Sequence, residues 1–315
     1  MQWLLRLCIK LGEEIMKSKV ALTKSGKRVE NIEAALRLIK SEIDLETKSD
    51  VFIKVNFVST RNQLAATHVD SVRALLRFLR GHYDGKITIG ESTLGSAREG
   101  YVRFGYLDLV QEFDVELVDL NEGEWQVLEL YDSALRPMKV RFAKQLIESS
   151  YRISIGPAKT HDTVIVTLSI KNLAMGGLCH NTGDKFRMHQ GYPVHNLDLY
   201  LLAKAYPPHL SIIDGYVGME GNGPVSGNPV EWGVAIVSQD PVAADCLAAQ
   251  LMGFDISDIG YLWYCYKKGL GVGEISEMDI LGANSQDCYH RFRPHSTYEA
   301  QKGWRDERIS RLLKI

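Results

Sequence analysis

The sequence predicts an α/β protein with a mostly parallel sheet flanked by helices, either as one layer or as two α/β lobes with a site between them. Three observations predict it. Short runs rich in β-branched and aromatic residues alternate with helical periodicity between residues 31 and 120. The alternation resumes after residue 150, and polar residues gather where the strands should end, which is where open α/β sheets bind ligands.

The elements follow in order. Ile32, Ala35, Leu36, Ile39 and Ile43 recur at helical spacing, with Asn31 available as a cap. VFIKVNFV at 51–58 reads as a strand, and a polar loop leads from it to a helix beginning near Thr67, with Val69, Val72, Leu76 and Leu79 on one face. KITIGES at 86–92 is the next strand, Ala97 to Phe113 the next helix, and VELVDL at 115–120 a further strand. This β-α-β-α-β succession favours parallel pairing. The stretch 121–141, with Trp125 and Pro137, is less regular and reads as an insertion or a linker between lobes. Strands are then expected at 151–157, 210–214 and 233–238, and helices at His195 to Ala205 and Pro241 to Met252. Asp240 suits the cap of the second helix, Pro241 its first turn and Gly253 its stop.

These elements suggest an α/β domain over residues 20–285, divisible into lobes 20–145 and 146–285, with an extension or docking helix at 1–19. Met16 is an alternative start. The segment 286–315 is expected to form a basic C-terminal helix, since Tyr289 to Ile315 holds seven Arg or Lys against three Asp or Glu. Trp304, Ile309, Leu312 and Leu313 could share its inner face, docked on the domain or on a second copy.

A chain of 315 residues can bury a full core. Its formal net charge of −2 removes the electrostatic reason to expect nucleic acid or an anionic membrane as partner. Cysteines at 8, 179, 246, 265 and 288 form no close pair, which fits a reducing compartment, and no stretch reaches the roughly 20 apolar residues of a membrane span. The expected location is cytoplasmic.

The chemistry-bearing residues cluster at expected strand ends. Period-two geometry points Lys54 and Asn56 the same way, and a lysine in a central strand demands a partner or an anion, whereas on an edge strand it would be solvated. Glu91 closes the 86–92 strand as a ligand contact or a cap. Lys159 and His161 follow the next strand, and Lys171 and Asn172 lie just beyond; an ammonium holds a carboxylate or phosphate, and a histidine moves protons near neutral pH. The glycine-rich run 176–195 carries His180, His189 and His195. It reads as a lid bringing Lys185 and His189 to the ligand, with metal binding as an alternative that no HxH or HExxH spacing supports. GYVGMEGNGPVSGNP at 215–229 follows Asp214 and encloses Glu220; it is either an anion-cradling loop or a long turn. Asp245, inside an apolar helix, is expected to cap a neighbouring helix or pair with a base.

IKVN at 53–56, KTH at 159–161, LSIKNL at 168–173, IIDGYVGMEGNGPVSGNPV at 212–230 and DPVAADCLAAQLMG at 240–253 resemble the signature blocks of the domain of unknown function 362 family, from about Val20 to Gly282. The resemblance implies an α/β domain without an assigned general reaction. Some similar proteins append a ferredoxin-like domain whose cysteine motifs are not found here, so electron transfer would need a redox partner. The family is also distantly similar to the amino-terminal region of lactate racemase-like proteins, which use lysine and histidine around a nickel cofactor.

The expectation is therefore an enzyme acting on a small anionic organic molecule. Lys54, Lys159 and Lys171 would hold charge, His161 or His189 would transfer a proton, and Asn56, Glu91, Asn172, Asp214 and Glu220 would orient or complete the pocket. The alternatives are a non-catalytic accessory protein that binds a ligand, metal or cofactor, and a scaffold for a redox partner. The sequence names no cofactor.

Overall fold

The computed structural model describes residues 17–315. Residues 1–16, and with them most of the expected extension, lie outside the described residues; Ser18 and Lys19 already belong to the first strand.

Eleven strands are described: β1 (Ser18–Lys24), β2 (Asp50–Lys54), β3 (Lys86–Glu91), β4 (Glu116–Asp119), β5 (Trp125–Tyr131), β6 (Pro137–Ala143), β7 (Tyr151–His161), β8 (Ile165–Thr167), β9 (Leu210–Glu220), β10 (Asn228–Ser238) and β11 (Met278–Gly282). Helices of seven residues or more are numbered α1 (Arg28–Leu38), α2 (Val69–Arg80), α3 (Ala97–Arg103), α4 (Leu107–Phe113), α5 (Ser169–Gly176), α6 (Tyr192–Ala205), α7 (Pro241–Leu251), α8 (Gly260–Lys267) and α9 (Glu307–Leu313).

One sheet runs in the order β11-β1-β10-β9-β7-β2-β3-β4, with β8 paired to β7, and β5-β6 forms a separate hairpin. Pairings from β9 through β7, β2, β3 and β4 are parallel, while β10 is antiparallel to both β1 and β9. The mostly parallel sheet flanked by helices is thus as expected from sequence. The sheet crosses the boundary drawn between lobes, because β7 pairs directly with β2. The stretch 121–141 contributes the β5-β6 hairpin.

The sheet is covered on both faces, and alternation along β2 shows it. Val51 and Ile53 belong to the core cluster that includes residues of α1 and α2 with Tyr101 and Tyr106, whereas Phe52 belongs to the cluster on the other face, with Leu173, Leu197 and Leu247. Every residue of β7 is buried, the polar Arg152, Ser154, Lys159, Thr160 and His161 included.

Several boundaries differ from the sequence expectation. The helix expected at 97–113 breaks into α3 and α4 at Gly105, whose φ of 75° a side chain would resist. The strand expected at 151–157 continues to His161, and β9 runs past Asp214 to Glu220, so the long glycine-rich loop shrinks to the hairpin turn 221–227. The C-terminal segment is not one helix. It forms separate turns at Ser285–Cys288 and Tyr298–Gln301 before α9. Trp304, Ile309 and Leu313 are buried as expected, but Leu312 is exposed. Asp245 caps α5 by accepting hydrogen bonds from Ser169 and Ile170 N–H at 2.9 Å. That is the structural role expected of it.

A lysine-lined cavity as the candidate functional site

Parallel neighbours align their carboxyl ends. β7, β2 and β3 are adjacent, with Lys54 in register with Ser154 on one side and Gly90 on the other. This alignment gathers Lys54, Asn56, Glu91 and Lys159 at one edge of the sheet, where α5 adds Lys171 and Asn172. These six residues and His161 line a cavity of about 630 Å³.

Its floor is a continuous polar network. Lys54, fully buried, forms an ion pair with Glu91 at 2.9 Å, lies 3.4 Å from Asn172 Oδ1 and donates to the Val55 carbonyl. Glu91 also accepts from Phe57 N–H at 2.6 Å and Ser92 N–H at 2.7 Å, so its carboxylate is held by three donors. Gly176 leaves room for the end of the Lys54 side chain, which a Cβ at that position would overlap. The central-strand alternative for Lys54 is therefore the one realised. Asn56 donates to Asn172 Oδ1 at 2.9 Å and accepts from Lys159 Nζ at 2.5 Å; Lys159 donates also to the Ala65 carbonyl at 3.0 Å.

Lys171 differs from both. Its side chain is buried, yet its Nζ has no hydrogen-bond or ion-pair partner among the described residues. Thr167 Oγ1, also on the cavity wall, is buried and unpartnered. A solvent-excluded hydroxyl without a partner, as Thr167 Oγ1 is, costs on the order of 1–3 kcal/mol, which a bound ligand can offset.

The cations perturb one another. Burial, reinforced by Lys171 and Lys54, lowers the Lys159 amine to about 7, against the pull of Glu91. Burial likewise lowers Lys171 to about 8, with Asp162 opposing and Lys185 assisting, and lowers Lys185 to about 8. Burial also pulls Lys54 down while Glu91 holds it up. The described lining thus holds four lysines against two carboxylates, Glu91 and the half-exposed Asp162. An anion entering this space would replace missing negative charge.

The sign of the pH effect follows. A folded-state pKa lowered from 10.5 means that the folded chain binds fewer protons than the unfolded chain between about pH 7 and 10, so stability rises with pH over that window. We expect Lys159→Met to gain more than about 1 kcal/mol relative to wild type at pH 6 compared with pH 10, measured by denaturant midpoints at the two pH values.

His161 is held in one orientation. Its Nδ1 lies 3.0 Å from the Thr163 N–H and 3.1 Å from Asp162 Oδ1; with the Thr163 N–H donating to it, the proton of the neutral ring is on Nε2. Burial and the nearby Lys171, His195, His189 and Lys159 hold its pKa well below the usual histidine value, so the ring is neutral. Gln301 donates to the His161 carbonyl at 2.8 Å and accepts from Ile165 N–H, which braces the β7-β8 turn from the C-terminal segment. Ile165 sits there at φ 67°, a costly conformation for a β-branched residue.

The other expected residues fall as follows. Lys185 and His189 line the mouth on the 176–195 segment; His189 stacks on buried His195 with ring centroids 4.6 Å apart. Asp214 and Glu220 are not in the cavity. Asp214 lies within β9 and binds Arg28 at 2.9 Å and Ser71 at 2.5 Å beside a separate small pocket, while Glu220 accepts from Arg293 N–H at 2.8 Å. Both corrections follow from the length of β9. His295 and Ser296, which sequence reasoning assigned to a docked helix, reach the cavity wall. No sequence signal pointed to them.

The model of the family described as "Domain of unknown function (DUF362)" matches residues 51–250. The chain belongs to this family. All of the cavity except His295 and Ser296 lies within the matched DUF362 region. The chain is 31% identical over 178 residues to a thylakoid-associated protein of Synechocystis sp., an alignment covering 56% of this chain and 54% of that protein. It therefore spans about half the length of this curated relative. Among solved structures, the lactate racemase apoprotein from Thermoanaerobacterium thermosaccharolyticum matches with a TM-score of 0.50 at 13% identity, covering 76% of this chain and 58% of that one. At that identity the likeness concerns the α/β fold alone. Among the described residues no group of three or more His, Cys, Asp or Glu is placed to hold a metal ion. No helix among the described residues is long and apolar enough to cross a membrane.

Proposed function

We propose that this DUF362 protein is an enzyme that binds a small anionic organic molecule in the lysine-lined cavity and moves a proton on it. The observation that carries the reading is Lys171: a residue 6% exposed whose amine, lowered to about 8, has no partner among the described residues and which lines the same cavity as His161. Lys54 is committed to Glu91 and supplies charge, while Lys159, its amine lowered to about 7, is held by Asn56 and the Ala65 carbonyl. Lys171, without a protein partner, faces the anion as an ammonium and accepts the proton in its neutral fraction, and His161 donates a hydrogen bond to the oxygen on which charge develops. Asn56 and Asn172 hold the lysines in place.

An amine of this kind removes protons most readily from carbon next to a carbonyl. The test is hydrogen–deuterium exchange of pyruvate, 2-oxobutyrate, oxaloacetate and acetoacetate in D₂O, followed by proton NMR. Wild-type protein is expected to accelerate exchange of at least one of these, and Lys171→Met to abolish the acceleration. Exchange no faster than with the variant would contradict the reading. His161→Ala separates it from the non-catalytic alternative: an enzyme loses turnover and largely keeps affinity, whereas a carrier loses affinity and has no turnover to lose.

A further inference from the structure

The cavity is graded from polar and buried to apolar and exposed. On the floor, Lys54, Lys159 and Lys171 are 0%, 1% and 6% exposed. At the mouth, Leu94, Phe186 and Val225 are 50%, 62% and 39% exposed. These three large apolar side chains come from separate parts of the chain: the loop after β3, the turn before α6, and the β9-β10 hairpin. Partly buried Val58 and Met175 line the same cavity. Folding alone gives no reason to assemble exposed apolar groups around a polar hole, and leaving them in water forgoes burial that each could obtain in a core.

We infer that the ligand is amphipathic, with a carboxylate or phosphate on the lysine floor and a hydrocarbon or aromatic body lying against Leu94, Phe186 and Val225. This rests on reading the cavity as an anion site. The dimensions agree. A space of about 630 Å³ falls within the roughly 300–1,000 Å³ that encloses whole drug-sized molecules, well beyond the needs of an anionic group alone. Charge at the bottom and apolar surface at the opening also fix the direction of entry: the charged end must go in first, which brings the carbon next to it to Lys171 and His161.

The rim residues come from loops and short turns, outside the sheet that carries Lys54 and Lys159.

The test is calorimetric titration with alkyl carboxylates and alkyl phosphates of two, four, six and eight carbons, against wild type and the triple variant Leu94→Ser, Phe186→Ser, Val225→Ser. Each methylene that becomes buried should tighten binding by about 3–4-fold in wild type. The triple variant should bind the two-carbon members as wild type does and lose most of the chain-length dependence. Comparison of the carboxylate and phosphate series identifies which head group the floor accepts. A wild-type affinity independent of chain length overturns the inference and leaves the anion site standing. Absence of binding throughout both series overturns both. If the triple variant instead changes the mass of the assembled protein by light scattering, the rim serves a second copy of the chain and the inference falls.

Discussion

Lys54→Met is expected to destabilise the fold by about 3–5 kcal/mol, seen as a lower denaturant midpoint, because it leaves Glu91 as a buried carboxylate without its cation. Two backbone donors would remain on Glu91, from Phe57 and Ser92, and they hold it in place without neutralising it. The effect should exceed what lost packing explains, since methionine fills most of the lysine stem's volume against Gly176. The double variant Lys54→Met, Glu91→Leu removes both charges, so its loss should be clearly smaller than the sum of the two single losses. Additive losses would mean that the pair is not coupled.

The second large effect concerns binding. Lys171→Met should weaken binding of octanoate by at least about 30-fold, the lower end of the roughly 2–5 kcal/mol lost when one partner of a desolvated charge pair is removed. Its stability should change little or rise, because Lys171 has no partner to lose and its removal relieves crowding with Lys159 and Lys185. This combination, lost affinity with retained stability, separates Lys171 from Lys54. Lys159→Met should show an intermediate pattern, since Lys159 both contributes charge and holds Asn56.

Much of this arrangement was legible in the sequence because parallel strands are short, apolar and separated by helices of clear periodicity. A lysine inside VFIKVNFV and a glutamate ending KITIGES stand out against such strands, and strand adjacency brings them together. Adjacency itself was not legible: the parallel pairing of β7 with β2, which joins the expected lobes into one sheet, depends on strand order. Asp214 and Glu220 were misplaced for a related reason. The glycines and prolines of 215–229 read as loop, yet β9 continues through Gly215 and Gly218 to Glu220 and β10 begins at Asn228, and pairing overrides local propensity there. The C-terminal contribution of Gln301, His295 and Ser296 had no local signature, since it depends on residues far away in sequence, such as His161 for Gln301 and Asn222 for Ser296. The helix α5 was missed as well. Lys171 and Asn172 read only as members of a polar cluster past a strand end, and the helix's N-terminal cap comes from Asp245 in α7.

The central claim is that the cavity holds an anion against amines that titrate near neutral pH. Calorimetric titration of octanoate at pH 8, repeated in two buffers of different ionisation enthalpy, tests it most directly. With Lys159 at about 7 and Lys171 at about 8, both are partly deprotonated at that pH, and a bound anion raises their pKa values. Binding should therefore take up protons, giving a heat that depends on the buffer, and the uptake should shrink in Lys171→Met. A heat of binding independent of buffer, with equal affinity in wild type and Lys171→Met, would contradict the account.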